Sequence, residues 1–149
     1  MKRRSDTSSS RPEPTFFVDR NLGRHIFPGR LREAGVQLEI HDDHFPPDEQ
    51  DPVWIAEAGK QGWIILTADQ RIRRVSLETE AIMSAGVQAF IFVGKTDVRR
   101  FAGAFLKARR RVDRLLARDT EPFIAKIYRD GRVVVSLRHA EWEAQRKKR

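Results

Sequence analysis

The chain has 149 residues, 40% of them hydrophobic and 9% aromatic, enough for one domain with a buried core. It contains no cysteine, which excludes a disulfide framework, a thiolate metal site and a cysteine nucleophile. Twenty-nine Lys and Arg against 21 Asp and Glu leave a formal charge of +8, mostly arginine. That excess is either a solubilising surface or a surface for a polyanion, nucleic acid or an acidic protein, and arginine favours bidentate phosphate contact. No apolar run reaches the roughly 18 to 20 residues a bilayer span needs, and residues 1–15 carry no signal-peptide apolar segment, so a cytoplasmic protein is expected.

Taken in order, residues 1–14 are polar, rich in Ser and Pro, and read as a disordered tail. Thr15-Phe16-Phe17-Val18-Asp19 is a short strand that runs into a carboxylate. Arg20 to Ala34 suits a helix ended by Gly35, with a break or kink expected at Pro28-Gly29. Val36 to Ile40 alternates as a strand, and His41 to Gln50 is a polar loop. Asp51-Pro52 opens a helix, with Asp51 at the N-cap and Pro52 at the first helical position, which Gly59 or Gly62 ends.

Trp63-Ile64-Ile65-Leu66 follows, a continuous apolar run that reads as a fully buried strand of a parallel sheet. Asp69 to Ser84 is helical, with a break near Val75-Ser76, and Val87 to Val93 is the next strand. Thr96 to Ala117 places Val98, Phe101, Ala102, Phe105, Val112, Leu115 and Leu116 on one helical stripe. Phe123 to Leu137 reads as a hairpin around Arg129-Asp130-Gly131, and residues 139–149 as a basic C-terminal tail forming a frayed helix. The domain is therefore 15–138. Alternating strands and helices predict an α/β fold, a three-layer α/β/α sandwich with a mostly parallel sheet and a C-terminal β-hairpin.

That topology selects three aspartates. Asp19 ends the first strand, and Asp51 and Asp69 open the helices after the second and third strands. In a parallel sheet these places share one edge, near the first strand where strand order reverses. Asp51 and Asp69 each have a capping role as the alternative. Three carboxylates on one rim repel and raise one another's pKa values unless a cation neutralises them. All-oxygen donors without thiolates suit Mg²⁺ or Mn²⁺, and such an ion on a basic protein suggests phosphodiester hydrolysis. Thr67 and Asn21 are supporting candidates with structural alternatives. Arg20, Arg71, Arg73 and Arg74 flank the rim and are candidates to hold substrate phosphates. His41-Asp42-Asp43-His44 lies in a loop without an apolar frame and reads as solvated. Arg99, Arg100, Arg110, Arg111 and Arg114 read as a solvated helix face, with RNA contact the alternative.

Asp19-Arg20-Asn21-Leu22-Gly23, then Asp51-x-x-Trp54-Ile55, then Gly62-Trp63-Ile64-Ile65-Leu66-Thr67-Ala68-Asp69-x-x-Ile72-Arg73, in that order, resemble the PIN-like ribonucleases of the small, VapC-like toxin branch of toxin–antitoxin systems. The resemblance covers residues 16–93, with a weaker match at 123–133. It implies sheet order 3-2-1-4-5, Mg²⁺ or Mn²⁺, RNA cleavage, a homodimer and a cognate antitoxin. It carries the acidic cluster onto Asp19, Asp51 and Asp69, with Glu78 as candidate fourth ligand and Asp43 and Glu49 in reserve. Two other functions compete. One is a catalytically silent PIN-like binding module; the other is a phospho-receiver domain, for which Lys95 after the fourth strand is suggestive but an acidic pair at the first strand's end is missing.

Overall fold

Short apolar runs become the strands of one six-stranded sheet: β1 (Thr15–Val18), β2 (Gln37–Ile40), β3 (Ile64–Thr67), β4 (Gln88–Phe92), β5 (Phe123–Ile127) and β6 (Val133–Arg138). The structure is a computed structural model that describes residues 13–69 and 76–148. Its helices are α1 (Ile26–Glu33), α2 (Asp51–Gln61), α3 (Ser76–Ala85), α4 (Val98–Arg118) and α5 (His139–Lys147). Strands β1 to β5 pair in parallel, and β6 returns antiparallel to β5. Among the described residues no helix is long and apolar enough to cross a membrane.

Sheet order is β2-β1-β3-β4-β5-β6, which keeps β1 inside the sheet but differs in detail from 3-2-1-4-5. The reason is the two crossovers. The first, through α1, packs on one face with α4; the second, through α2, packs on the other with α3 and α5. The chain thus passes β1 on its way from β2 to β3, β2 stays at an edge, and direction reverses between β1 and β3.

Period-2 alternation splits the core between the faces. Phe16, Val18, Leu66, Phe90 and Phe92 point toward α1 and the stripe of α4, including Phe101, Phe105 and Val112. Phe17, Ile65, Ala89, Ile91 and Ile124 point toward Trp54, Ile55 and Ala58 of α2, Ile82 and Met83 of α3, and Trp142 of α5. Helices α2 and α3 approach closely at Gly59, where a side-chain carbon would strike the carbonyl oxygen of Ala85.

Three local expectations shift. Arg20 to Leu22 is a separate 3-10 turn, and α1 begins only at Ile26. Pro28 therefore sits in the first turn, where its missing N–H would have no helical partner anyway, and it does not kink the helix. Asp51 is the first residue of α2 and Gln50 its N-cap, so Pro52 falls one position later than expected. Residues 139–147 form a docked helix: Trp142 is buried, and the Glu141 carboxylate accepts the Arg138 N–H at 2.8 Å. The break expected near Val75-Ser76 falls at the boundary of the described residues.

Candidate acidic site at the carboxyl edge of the sheet

Thr67 is the node of the site. It is the last residue of β3, fully buried, and every hydrogen-bonding position of its hydroxyl is used. The hydroxyl donates to Asp19 Oδ2 at 2.7 Å, and accepts from Asn21 Nδ2 at 3.2 Å and from the Asp69 backbone N–H at 3.0 Å. Asn21 closes the loop by accepting the Ala68 N–H on its Oδ1 at 3.2 Å. Asp19 N–H also continues the β1–β3 ladder by donating to the Leu66 carbonyl at 3.0 Å. The end of β1 and the end of β3 are therefore one hydrogen-bonded unit, in register across the point where strand order reverses.

Asp19, Asp51 and Asp69 line one open cleft of about 810 Å³ at this edge. Glu49 and His41 line it from the segment after β2, Trp54 from α2, and Val93, Gly94 and Lys95 from the β4–α4 loop. Asp51 does not cap its helix; its Oδ1 accepts the Trp54 indole N–H at 2.9 Å, one turn along α2. Its place in the first helical turn suits a carboxylate, because the helix dipole is positive there.

Burial pushes the Asp19 carboxyl up from its ordinary 3.8 to about 6. The Thr67 hydroxyl and the Arg20 backbone N–H oppose that rise by bonding the charged form, and the charges of Asp51 and Asp69 add to it. The three carboxylates thus sense one another electrostatically. Among the described residues, however, no three His, Asp or Glu side chains are drawn together as a group able to hold a metal ion. In donor chemistry the cleft suits a hard divalent ion, since its carboxylates offer oxygen alone and the chain has no thiolate.

The remaining expected residues divide. Arg20 lines the cleft, but its guanidinium is engaged with Asp42 Oδ1 at 3.1 Å and the Pro47 carbonyl at 3.2 Å, tying down the 41–50 loop. Glu78 lies in the first turn of α3 and does not line the cleft; its Oε2 is buried without a hydrogen-bond partner. Glu49, a reserve ligand, does line it, and Asp43 does not. Arg71, Arg73 and Arg74 lie outside the described residues. His41 corrects an expectation. Instead of being solvated it is 3% exposed, packed among Phe17, Phe45 and Trp54, with its pKa lowered chiefly by that burial. The aromatic frame is invisible in the sequence because its members come from β1, the loop and α2. Lys95 is findable by the rule that finds Asp19, as the first charged residue after an apolar strand.

Comparison with known proteins gives a consistent picture. The family model described as "PIN like domain" matches residues 14–94. A Mycobacterium tuberculosis (strain ATCC 25618 / H37Rv) protein described as "Putative ribonuclease VapC45" is 30% identical over 118 residues, covering 75% of this chain and 84% of that protein. No solved structure matches the chain.

Proposed function

This chain belongs to the PIN-like domain family, and we propose that it is a metal-dependent endoribonuclease, the toxin of a toxin–antitoxin pair, cleaving RNA phosphodiesters in the carboxyl-edge cleft. The observation that carries the reading is the convergence of Asp19, Asp51 and Asp69 on that cleft from three separate parts of the chain. Likeness to a protein named as a ribonuclease of the VapC type supports both the reaction class and a cognate antitoxin.

Asp19, Asp51 and Asp69 are the residues proposed to hold Mg²⁺ or Mn²⁺, with Glu49 nearer to the role of fourth ligand than Glu78. Such an ion supplies an activated water and neutralises charge on the phosphorus oxygens during in-line displacement. The chain's own parts prepare the cleft for that chemistry. Thr67 fixes one oxygen of Asp19, Asn21 fixes Thr67, and Trp54 fixes one oxygen of Asp51. Residues of this second tier set ligand orientation and govern metal affinity in carboxylate sites. Lys95 places a cation where an entering phosphate arrives.

Incubating the purified protein with RNA and Mn²⁺ tests the reading: the wild type cleaves, EDTA stops it, and Asp19→Asn abolishes cleavage with an unchanged circular dichroism spectrum. Undiminished cleavage by the variant would overturn the assignment. A second reading draws on the ungathered carboxylates: a PIN-like module that binds RNA without cutting it. Its signature is RNA binding indifferent to EDTA with no cleavage in Mg²⁺ or Mn²⁺.

A further inference from the structure

We propose that the cations of the β4–α4 loop, the β5–β6 turn and the adjoining face of α4, namely Lys95, Arg129, Lys107 and Arg111, form a track that carries the phosphate backbone of RNA away from the cleft. The proposal rests on the ribonuclease reading for the identity of the polyanion, and on contacts within this chain for the path. Every residue of the track lies beyond residue 94, outside the stretch that the family model covers.

The path starts inside the cleft. Gly94 and Lys95 line it, and Lys95 makes no ion pair or side-chain hydrogen bond among the described residues. Gly94 has φ +106°, and a side-chain carbon built there would stand 4.0 Å from Arg129 Nε. The Arg129 guanidinium of the β5–β6 turn therefore lies beside the loop that forms the cleft wall. The turn in turn sits on α4. Gly131, at φ +92°, packs so closely that a side-chain carbon would approach Lys107 Cβ to 2.9 Å, and its carbonyl accepts from Arg111 at 3.3 Å. Cleft, loop, turn and helix thus lie side by side in that order, and each step carries a cation.

The acidic groups along this route are already occupied. Asp130 is paired with Arg132 at 2.9 Å, and Asp113 with Arg109 at 3.2 Å. Asp97 accepts the Arg100 N–H as the N-cap of α4. Among the described residues the β1 side carries no comparable run: Arg20 and Arg24 are both engaged with Asp42. A cleft floored by carboxylates repels a phosphodiester unless flanking cations draw it in, and a polyanion gains most where those cations continue beyond the cleft.

The test is binding of a labelled single-stranded 12-nucleotide RNA, measured by fluorescence anisotropy in EDTA over a range of salt concentrations. The variants are Lys107→Gln with Arg129→Gln, and Lys60→Gln as control, since exposed Lys60 lies near the far end of α2 from the cleft. The double variant should bind at least about tenfold more weakly. Its slope of log affinity against log salt should fall by about 0.7 for each phosphate that the protein no longer neutralises. The control should match the wild type, and thermal melting should show all three folded. Equal weakening by Lys60→Gln would make the attraction diffuse and overturn the track. So would unchanged RNA affinity in the double variant, or a loss confined to binding of poly-glutamate, which would assign the surface to an acidic protein. Because binding is read without metal, a wild type that binds along the track but never cleaves sinks the nuclease reading alone; cleavage that persists with binding insensitive to the double variant sinks the track alone.

Discussion

On one face of the sheet, α1 and α4 close over Phe16, Phe90 and Phe92, with Phe105 of α4 packed among them, and none of the described buried members of that core lines the cleft. On the other face, Trp54 belongs to the core and to the cleft at once. Its ring stacks on Phe17 at 5.4 Å and meets His41 edge-on at 5.8 Å, while its N–H holds Asp51. The first face holds the sheet together by area; the second also sets where a carboxylate points. Apolar burial therefore carries different functional consequences on the two faces.

The largest expected effect breaks the first face without touching the site. Phe105→Ala removes a fully buried ring in edge contact with Phe16 at 5.3 Å and should cost about 3–5 kcal/mol in urea denaturation. The folded fraction should bind Mn²⁺ in calorimetry with wild-type affinity. A parallel fall in metal affinity would mean that the two faces are not separable.

Asp19→Asn comes next, and its sign depends on pH. The folded-state pKa is raised from 3.8 to about 6, so the contribution of Asp19 to stability is fully present below pH 3.8 and is lost as pH rises through about 6. In EDTA at pH 8 the charged form is therefore a liability, on the order of 3 kcal/mol. The Asn variant should melt at higher temperature than the wild type there, with the gap closing by pH 4. Saturating Mn²⁺ should raise the wild type and leave the variant unmoved. A variant less stable than the wild type at pH 8 in EDTA would show that the carboxylate is not strained by burial.

These effects also mark what can be read from the sequence. The strands are legible because short apolar or alternating runs end in turn residues or charges, and Asp19 is legible because a carboxylate closes such a run. Topology then brings Asp51 and Asp69 to the same edge. The Thr67 hydroxyl is not legible in its role: its partners lie 46 and 48 residues away at Asn21 and Asp19, and only pairing of β1 with β3 brings them together. His41 departs from expectation for the same reason, since a polar loop hides an aromatic frame assembled from distant segments. Trp54 is within reach. It stands three positions after Asp51, which on a helix puts the indole beside the carboxylate.

Thr67→Val tests that node at smaller cost. Valine keeps the shape and removes one donor and two acceptances, leaving the Asp69 N–H and the Asn21 amide to find other partners. A loss of about 1–3 kcal/mol is expected. The Asp19 pKa should rise further, because the hydroxyl is the largest influence holding it down; titration followed by carboxyl-carbon NMR reads this directly. A pKa that stayed in place would remove Thr67 from the site and leave it a core residue.

Trp54→Phe is the smallest change and bears most directly on the difference between the faces. Phenylalanine retains the packing against Phe17 but leaves part of the indole's volume empty, so stability should fall by about 1–2 kcal/mol. What disappears is the N–H that fixes Asp51 Oδ1. If the second face transmits core packing into ligand orientation, Mn²⁺ affinity should drop by about tenfold or more, in the range seen when partners of metal-binding carboxylates are removed. The ratio of the two losses is the informative quantity. Phe105→Ala should be costly in stability and silent in metal binding, Trp54→Phe the reverse. Should both variants lose stability and affinity in the same proportion, the indole acts through packing alone, and the two faces of the sheet would differ in composition but not in what they do for the site.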